Sequence, residues 1–370
     1  MLVSGAGIGT GILTIPYAVS KIGLFGTVVA LIAAYIASGL FYFIIADLTR
    51  NSDNPFDLLA ILDQHLFGAG RKKVLNVLFF VLLVLLLLEN LIVYILCAGN
   101  VMSELLGIDG IWTKIIFYVL ASIIPFFGIK GMGVGEKISM ILVGTAVVVL
   151  TVLSFLNVKN PISFSFGPFG TVFAVYGLFM FAFSAIFSVI QVCNHIEKRE
   201  YTAHAIIGGL TLNALITAVF TLSVILGSDH VTEIATIGLA NGIGIPAVRI
   251  VCSVLVLLAM FTSFWSSGFA FADTVSGKLR LPSKAAWFLS TLPALLFAIF
   301  IPLGILDYVQ IGAGALSVIL ILVVLPAYWH AVREPVNPPL LGKLSGNRVL
   351  IVFLAAAILL MAASSFVPIN

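Results

Sequence analysis

Residues 5–16 read Gly5-Ala-Gly-Ile-Gly-Thr-Gly-Ile-Leu-Thr-Ile-Pro16, and they open a chain that stays apolar almost to its end. Gly5, Gly7, Gly9 and Gly11 alternate with other residues and Pro16 follows, a poor recipe for a continuous helix. Each interior glycine costs about 1 kcal/mol relative to alanine. Backbone freed from helical pairing inside a bilayer is tolerated only where it is buried in protein or lines a cavity. Interrupted helices of this kind are how solute sites are built near the membrane midplane. The stretch therefore predicts a first membrane helix broken for a purpose.

Composition supports the membrane reading. Of 370 residues, 61% are hydrophobic and 9% charged, with a mean hydropathy of +1.23; soluble domains carry roughly 25% charged residues. The apolar stretches exceed the ~20 residues needed to span a bilayer, and they lack the alternation of a transmembrane barrel. The spans are therefore helical. Met1 runs into the glycine-rich segment without a basic region or cleavage site, so no cleaved signal peptide is expected. Cys97, Cys193 and Cys252 lie scattered in apolar segments, with no ligand spacing. They predict neither a disulfide framework nor a metal site.

Hydropathy breaks predict eleven transmembrane helices, at about 2–20, 22–47, 74–100, 111–129, 136–157, 167–192, 203–227, 247–275, 284–303, 306–330 and 347–367. Loop charge tests this count. With a cytoplasmic N-terminus, fourteen of the 18 Lys and Arg residues fall in inner loops. Only Lys21, Lys114, Lys159 and Arg249 fall outside. That positive-inside bias predicts a multi-pass protein of the cytoplasmic membrane, N-terminus in and C-terminus out. Residues 54–68 read as an amphipathic helix at the inner interface, and 229–244 as an outer capping helix.

Five spans separate the starts of spans 1 and 6, so span 6 enters from the opposite side. This parity is required of a 5+5 inverted repeat, with span 11 as an addition. It predicts a second interruption in span 6, for which Gly177-Leu-Phe-Met-Phe-Ala-Phe-Ser-Ala185 is the candidate.

Gly9-Thr-Gly-Ile-Leu-Thr-Ile-Pro-Tyr-Ala18, followed by Gly23, resembles the first-helix signature of the amino acid/auxin permease family. Phe181-Ala-Phe183 resembles the Phe-Ala-Phe/Tyr element of that family's sixth helix. With the eleven-span topology, the resemblance covers essentially the whole chain. It implies membership of the amino acid–polyamine–organocation (APC) superfamily: an all-α membrane protein of LeuT-like fold, with repeats at 1–157 and 158–330 and an extra helix at 344–370. It also implies secondary amino-acid transport driven by protons or sodium. Many members place a histidine where Ile186 stands here, which leaves substrate and coupling ion open. Many also have a longer segment ahead of the first helix, consistent with a start upstream of Met1.

A bound amino acid needs partners for a carboxylate and an ammonium. Half-helix N-terminal amides serve the first, aided by the dipole, and freed carbonyls at the other half's C-terminus serve the second. The resemblance assigns the carboxylate to the amides of Gly9, Thr10 and Gly11. The ammonium goes to carbonyls around Gly5 and Ala6, with Gly7 beside them, and to span 6 near Phe179. The competing reading of these glycines is close helix packing. Phe179, Phe181, Phe183 and Ser184 are candidates to shape and gate the pocket, against a reading as ordinary lipid-facing residues.

Glu89, in Leu-Leu-Leu-Leu-Glu89-Asn90, is the charged residue that falls in mid-span, and such a group is by default a functional hypothesis. It suits a proton that is loaded and unloaded; the alternative is a structural carboxyl. Thr262 and Ser263, with Ser266 and Ser267 a turn on, could join Ser4 and Gly7 in a sodium site, since hard cations want oxygen ligands. Hydroxyls in membrane helices also bond back to their own backbone, so proton and sodium coupling both stand. Asp47, Asp273, Asp307 and His330 lie near span ends and receive no role.

The sequence thus predicts an ion-coupled amino-acid symporter working by alternating access, with no cofactor beyond the co-transported H+ or Na+. Its partners are a small-molecule amino acid and the lipid bilayer, with no nucleic acid. Rival readings are an exchanger or facilitator, and a non-transporting amino-acid sensor. No HExxH, GxSxG, paired intramembrane aspartates or histidine cluster supports an enzyme. Oligomeric state is not encoded in any pattern found.

Overall fold

The computed structural model describes residues 10–53, 58–67, 73–126, 129–161, 163–196, 198–333 and 337–369. In chain order these form α1 (Thr10–Ser20), α2 (Leu24–Arg50) and α3 (Leu58–Leu62), which runs on into a π-helical turn, Asp63–Phe67. Then come α4 (Lys73–Leu106), α5 (Gly110–Phe126), α6 (Ile129–Leu156), α7 (Phe169–Ala182), α8 (Ile186–His195) and α9 (Arg199–Gly227). The chain ends with α10 (Ala235–Ile243), α11 (Pro246–Leu279), α12 (Ser283–Phe300), α13 (Ile305–Ala331) and α14 (Arg348–Ser364). Residues 320–324 of α13 widen into a π turn just before Pro326. The wider turn relieves the clash a proline ring makes with the preceding turn's carbonyl.

Among the described residues seven helical stretches are long and apolar enough to cross a membrane: α2, most of α4, the α7–α8 pair, α9, α11, α12 and α13. Shorter apolar helices lie in α5, α6 and α14. The first pair of spans separates at Lys21–Gly23, as the sequence predicts, and the ninth and tenth at Ile301–Gly304. There the Asp307 carboxylate accepts the Gly304 amide at 2.9 Å and caps α13. Of the helices expected at 54–68 and 229–244, α3 with its π turn covers Leu58–Phe67, the described part of the first, and α10 covers Ala235–Ile243 of the second.

Helix contacts come in pairs related by a shift of five spans. α2 packs on α7 and α8, and α9 packs on α1; α4 packs on α13, and α11 on α6; α4 packs on α5, and α11 on α12. The α4–α11 contact, at the centre, is its own mate. The two short helices repeat the same relation, since α3 lies between the second and third spans and α10 between the seventh and eighth. An internal two-fold of this sort is what an inverted repeat requires.

α14 stands outside the repeat and leans on α7 and α13. Tyr176 donates to the Ala357 carbonyl at 3.0 Å, and Gln310 to that of Val367 at 2.9 Å. Gly177 lets Ser364 approach: a Cβ there would lie 2.9 Å from the Ser364 Cβ and closer still to its hydroxyl.

Polar contacts fasten the Arg50 end of α2. Asp47 accepts the Leu340 amide at 2.6 Å, and Asn51 the Asn337 amide at 2.8 Å. Ser52 pairs with His65 at 3.0 Å, and Gln64 accepts the Asp53 amide at 2.8 Å. At the opposite end Arg249 of α11 meets Glu104 of α4 at 3.0 Å.

Candidate functional site

Span 6 is interrupted, as the repeat predicts. α7 closes with Phe183 N–H to Phe179 O at 2.9 Å and a tighter Ser184 N–H to Phe181 O at 2.9 Å. The chain leaves helical geometry at Ala185 (φ −127°, ψ 42°), and α8 starts with Val189 N–H to Ala185 O at 3.0 Å. The three residues of the break, Phe183-Ser184-Ala185, include neither glycine nor proline. A tertiary contact holds it open: the buried Tyr42 hydroxyl, from α2, donates to the Phe183 carbonyl. That carbonyl has lost its helical partner, and an unmet buried polar group costs about 1–3 kcal/mol. Gly177, inside the stretch expected to break, lies instead within continuous helix, where its role is the close approach of α14.

The first N–H groups of a helix have no partner within it. At α8 these belong to Ile186, Phe187 and Ser188, and all three residues border a cavity of about 80 Å³. Its other described walls are the end of α7 and the break, through Phe181, Ala182, Ser184 and Ala185, α4, through Leu86, Leu87, Asn90 and Tyr94, and α11, through Ser263, Ser266 and Ser267. Asn90 donates to the Leu86 carbonyl at 2.8 Å and accepts the Tyr94 hydroxyl at 3.1 Å. Ser263 is 5% exposed, and its hydroxyl has no hydrogen-bond partner among the described residues. The positive end of the α8 dipole and the negative end of α7 meet at this cavity. No charged side chain lines it among the described residues.

The residues expected from the sequence divide as follows. Phe181 and Ser184 line the cavity. Phe179 and Phe183 are buried behind it, stacked with centroids 5.8 Å apart and planes at 29°. Phe179 also borders a larger space of about 310 Å³ among α1, α2 and α9. Thr10 and Gly11 are the first residues of α1, so their amides sit at a helix N-terminus. Ser4, Gly5, Ala6, Gly7 and Gly9 lie outside the described residues. Ser263 reaches the cavity, whereas Thr262 turns its hydroxyl to its own helix, 3.1 Å from Leu258 O and 3.0 Å from Ala259 O.

Glu89 is buried on α4 and does not line the cavity. Its carboxyl packs against Gly312 of α13, and neither oxygen has a hydrogen-bond partner among the described residues. Asn90, next in sequence, is a cavity wall, on a face about 100° around α4 from Glu89.

Sequence reasoning missed Asn90, Tyr94 and Ser188. A usable signal existed: polar pairs four apart in otherwise apolar helices, Asn90/Tyr94 on α4 and Ser263/Ser267 on α11. Residues at that spacing share a helix face.

No family model matches the chain, and no curated protein matches it. Solved structures do, at low identity. MhsT in complex with L-phenylalanine superposes with a TM-score of 0.66 at 16% identity, over 99% of this chain and 97% of that one. Mhp1, a nucleobase-cation-symport-1 family transporter with bromovinylhydantoin bound, gives 0.63 at 14%, over 98% and 90%. A manganese transporter of Eremococcus coleocola gives 0.66 at 14%, over 98% and 84%. Together with the paired helix contacts and the interrupted sixth span, these likenesses identify the chain as a multi-pass membrane protein with the five-plus-five inverted-repeat, LeuT-like fold.

Proposed function

We propose that this chain is a secondary transporter of amino acids, a symporter working by alternating access across the cytoplasmic membrane, and not an enzyme. The observation that carries the reading is the interrupted sixth span, whose two helix ends meet at a polar cavity between α4 and α11. A zwitterion suits such a site. Its carboxylate is drawn to helix N-terminal amides, at α8 and at Thr10 and Gly11 of α1, and its ammonium to the carbonyl end of α7. Carbonyls around Gly5 and Ala6 complete the ammonium site in this reading. A divalent cation is a poorer fit, because hard cations favour carboxylate oxygens and the described walls offer none.

Coupling to protons through Glu89 is the preferred mechanism. A buried carboxyl without a hydrogen-bond partner among the described residues, on the helix that walls the cavity, is costly to keep ionised and suited to carry a proton. A sodium site at Ser4, Gly7, Thr262 and Ser263 is the rival; the internally bonded Thr262 hydroxyl weighs against it. In the same reading the repeats are 1–157 and 158–330, the N-terminus is cytoplasmic, and the chain is kin to the amino acid/auxin permeases.

The test is uptake of labelled amino acids into proteoliposomes, with pH and sodium gradients imposed separately. Accumulation driven by the pH gradient and abolished in Glu89→Gln supports the proposal. Accumulation driven by sodium alone overturns the proton role. Counterflow without accumulation under either gradient identifies an exchanger. Binding in detergent without any flux identifies a sensor.

A further inference from the structure

A second space in the molecule belongs to neither the break nor Glu89. It is a crevice of about 310 Å³ among α1, α2 and α9. Leu24, Val28 and Leu31 of α2 line one side, Leu222 and Ile225 of α9 the other, and Phe179 of α7 the back. Val19 of α1 also borders it, nine residues or about 14 Å along the helix from Thr10.

The crevice runs along helices that cross the membrane. Leu24 to Leu31 and Ala218 to Ile225 each cover about 10 Å of helix, roughly a third of a ~30 Å hydrocarbon core. Val28, a wall residue, is 40% exposed, so the crevice opens sideways between α2 and α9. Beside it Val29, Ile32, Leu215 and Val219 are exposed on the same two helices. Apolar side chains exposed at that depth face lipid tails. Further along, the hydroxyls of Tyr35 on α2 and Thr211 on α9 meet at 2.7 Å and close the gap.

The end nearest Leu24 is polar. Ser20, Asn160 and Ser163 border the crevice there, and Lys21 and Lys159 adjoin them in sequence. The Lys159 side chain is 45% exposed and comes only within 4.0 Å of Asp229. Apolar walls with cations at one end complement a phospholipid, its tail along the helices and its phosphate at the lysines. Thr221 is a wall residue too; it is 4% exposed and its hydroxyl has no hydrogen-bond partner among the described residues. A buried donor left unmet is costly, and a lipid ester carbonyl supplies an acceptor that plain hydrocarbon lacks.

We propose that this crevice binds one phospholipid, with an acyl chain lying between α2 and α9 and its ester carbonyl accepting the Thr221 hydroxyl. The seated chain touches Phe179, which stacks on Phe183 at the break, so an occupied crevice backs the elbow of the sixth span. The site does not depend on which solute is carried.

The experiment is native mass spectrometry of the full chain, purified in detergent and incubated with palmitoyl-oleoyl phosphatidylcholine or its diether analogue. The unmodified protein should retain one diester lipid per chain. The diether should bind about 2–10-fold more weakly, the worth of one hydrogen bond, and Thr221→Val should erase that preference. Val28→Trp and Leu222→Trp each fill the crevice and should lose the lipid. Added lipid should raise the melting midpoint of the unmodified protein but not of these two variants, whose own midpoints serve as the folding control. Unchanged retention in tryptophan variants that melt like the parent overturns the site and leaves only lipid bound around the outside. Equal retention of diester and diether overturns the role of Thr221. Displacement of the lipid by excess L-phenylalanine assigns the crevice to the solute path and overturns the proposal.

Discussion

Gly312→Ala places a methyl group where the Glu89 carboxyl now sits. The added Cβ would lie 3.0 Å from Oε1 and closer to Cδ and Oε2, distances that cannot persist. Glu89 is 4% exposed and the α4–α13 contact is extensive, so the carboxyl has little room to retreat. Overpacking a core by a methylene or two typically costs about 1–3 kcal/mol. Glu89→Ala removes the obstacle, so in that background the same methyl enters space already vacated and costs under about 1 kcal/mol. The cycle therefore yields a coupling energy of about 1–3 kcal/mol, the size measured for residues in direct contact. Melting of the four proteins in detergent reads it: Gly312→Ala alone lowers the midpoint by roughly 2–6 °C, scaling down from shorter domains. The double variant melts close to Glu89→Ala. Additive effects within about 0.5 kcal/mol would refute the packing argument. Because Gly312 does not line the cavity among its described walls, the same substitution separates coupling from solute binding. pH-driven accumulation should fall at least tenfold while counterflow persists.

Three further outcomes follow from contacts on the page. Tyr42→Phe strips the Phe183 carbonyl of its donor and should cost about 1–3 kcal/mol, with slower uptake; unchanged melting and uptake would remove Tyr42 from the account of the break. Gly177→Ala forces Ser364 off α7 and should lower the melting midpoint, and adding Ser364→Gly should restore most of the loss; failure of that rescue would refute direct contact as the cause. Burial holds the His65 imidazole below its ordinary value, outweighing its bond to the Leu48 carbonyl and the nearby Asp53 charge. Between the folded value and about 6.5 the unfolded chain binds more protons, so stability rises with pH across that window and is lost as pH falls through it. Protection of the α3 amides, measured relative to intrinsic exchange at each pH, should therefore fall as pH drops below about 6.5, and His65→Gln should flatten that dependence.

The apolar helical spans were legible because hydropathy acts locally along the chain. Parity alone pointed to an interruption in the sixth span. Its position was harder to read: Gly177 carries the residue type associated with breaks, yet it serves helix packing, while Phe183-Ser184-Ala185 looks unremarkable and is held open by a tyrosine 141 residues away. Asn90, Tyr94 and Ser188 were missed for the same reason, since α4, α8 and α11 meet only in three dimensions. Even adjacent residues diverged, because a helix turns about 100° per residue: Thr262 bonds its own backbone while Ser263 faces the cavity. Glu89 stood out in the sequence, but its glycine partner on α13 did not.

The hydroxyl of Tyr42 does more than satisfy a stray carbonyl. It makes the elbow of the sixth span and the second span a single mechanical part, with the hinge pinned to a rod rather than to the α4–α11 pillar. A displacement of that rod carries the elbow with it, so any movement at the break belongs to the α2–α7–α8 assembly as a whole, not to one swinging half-helix.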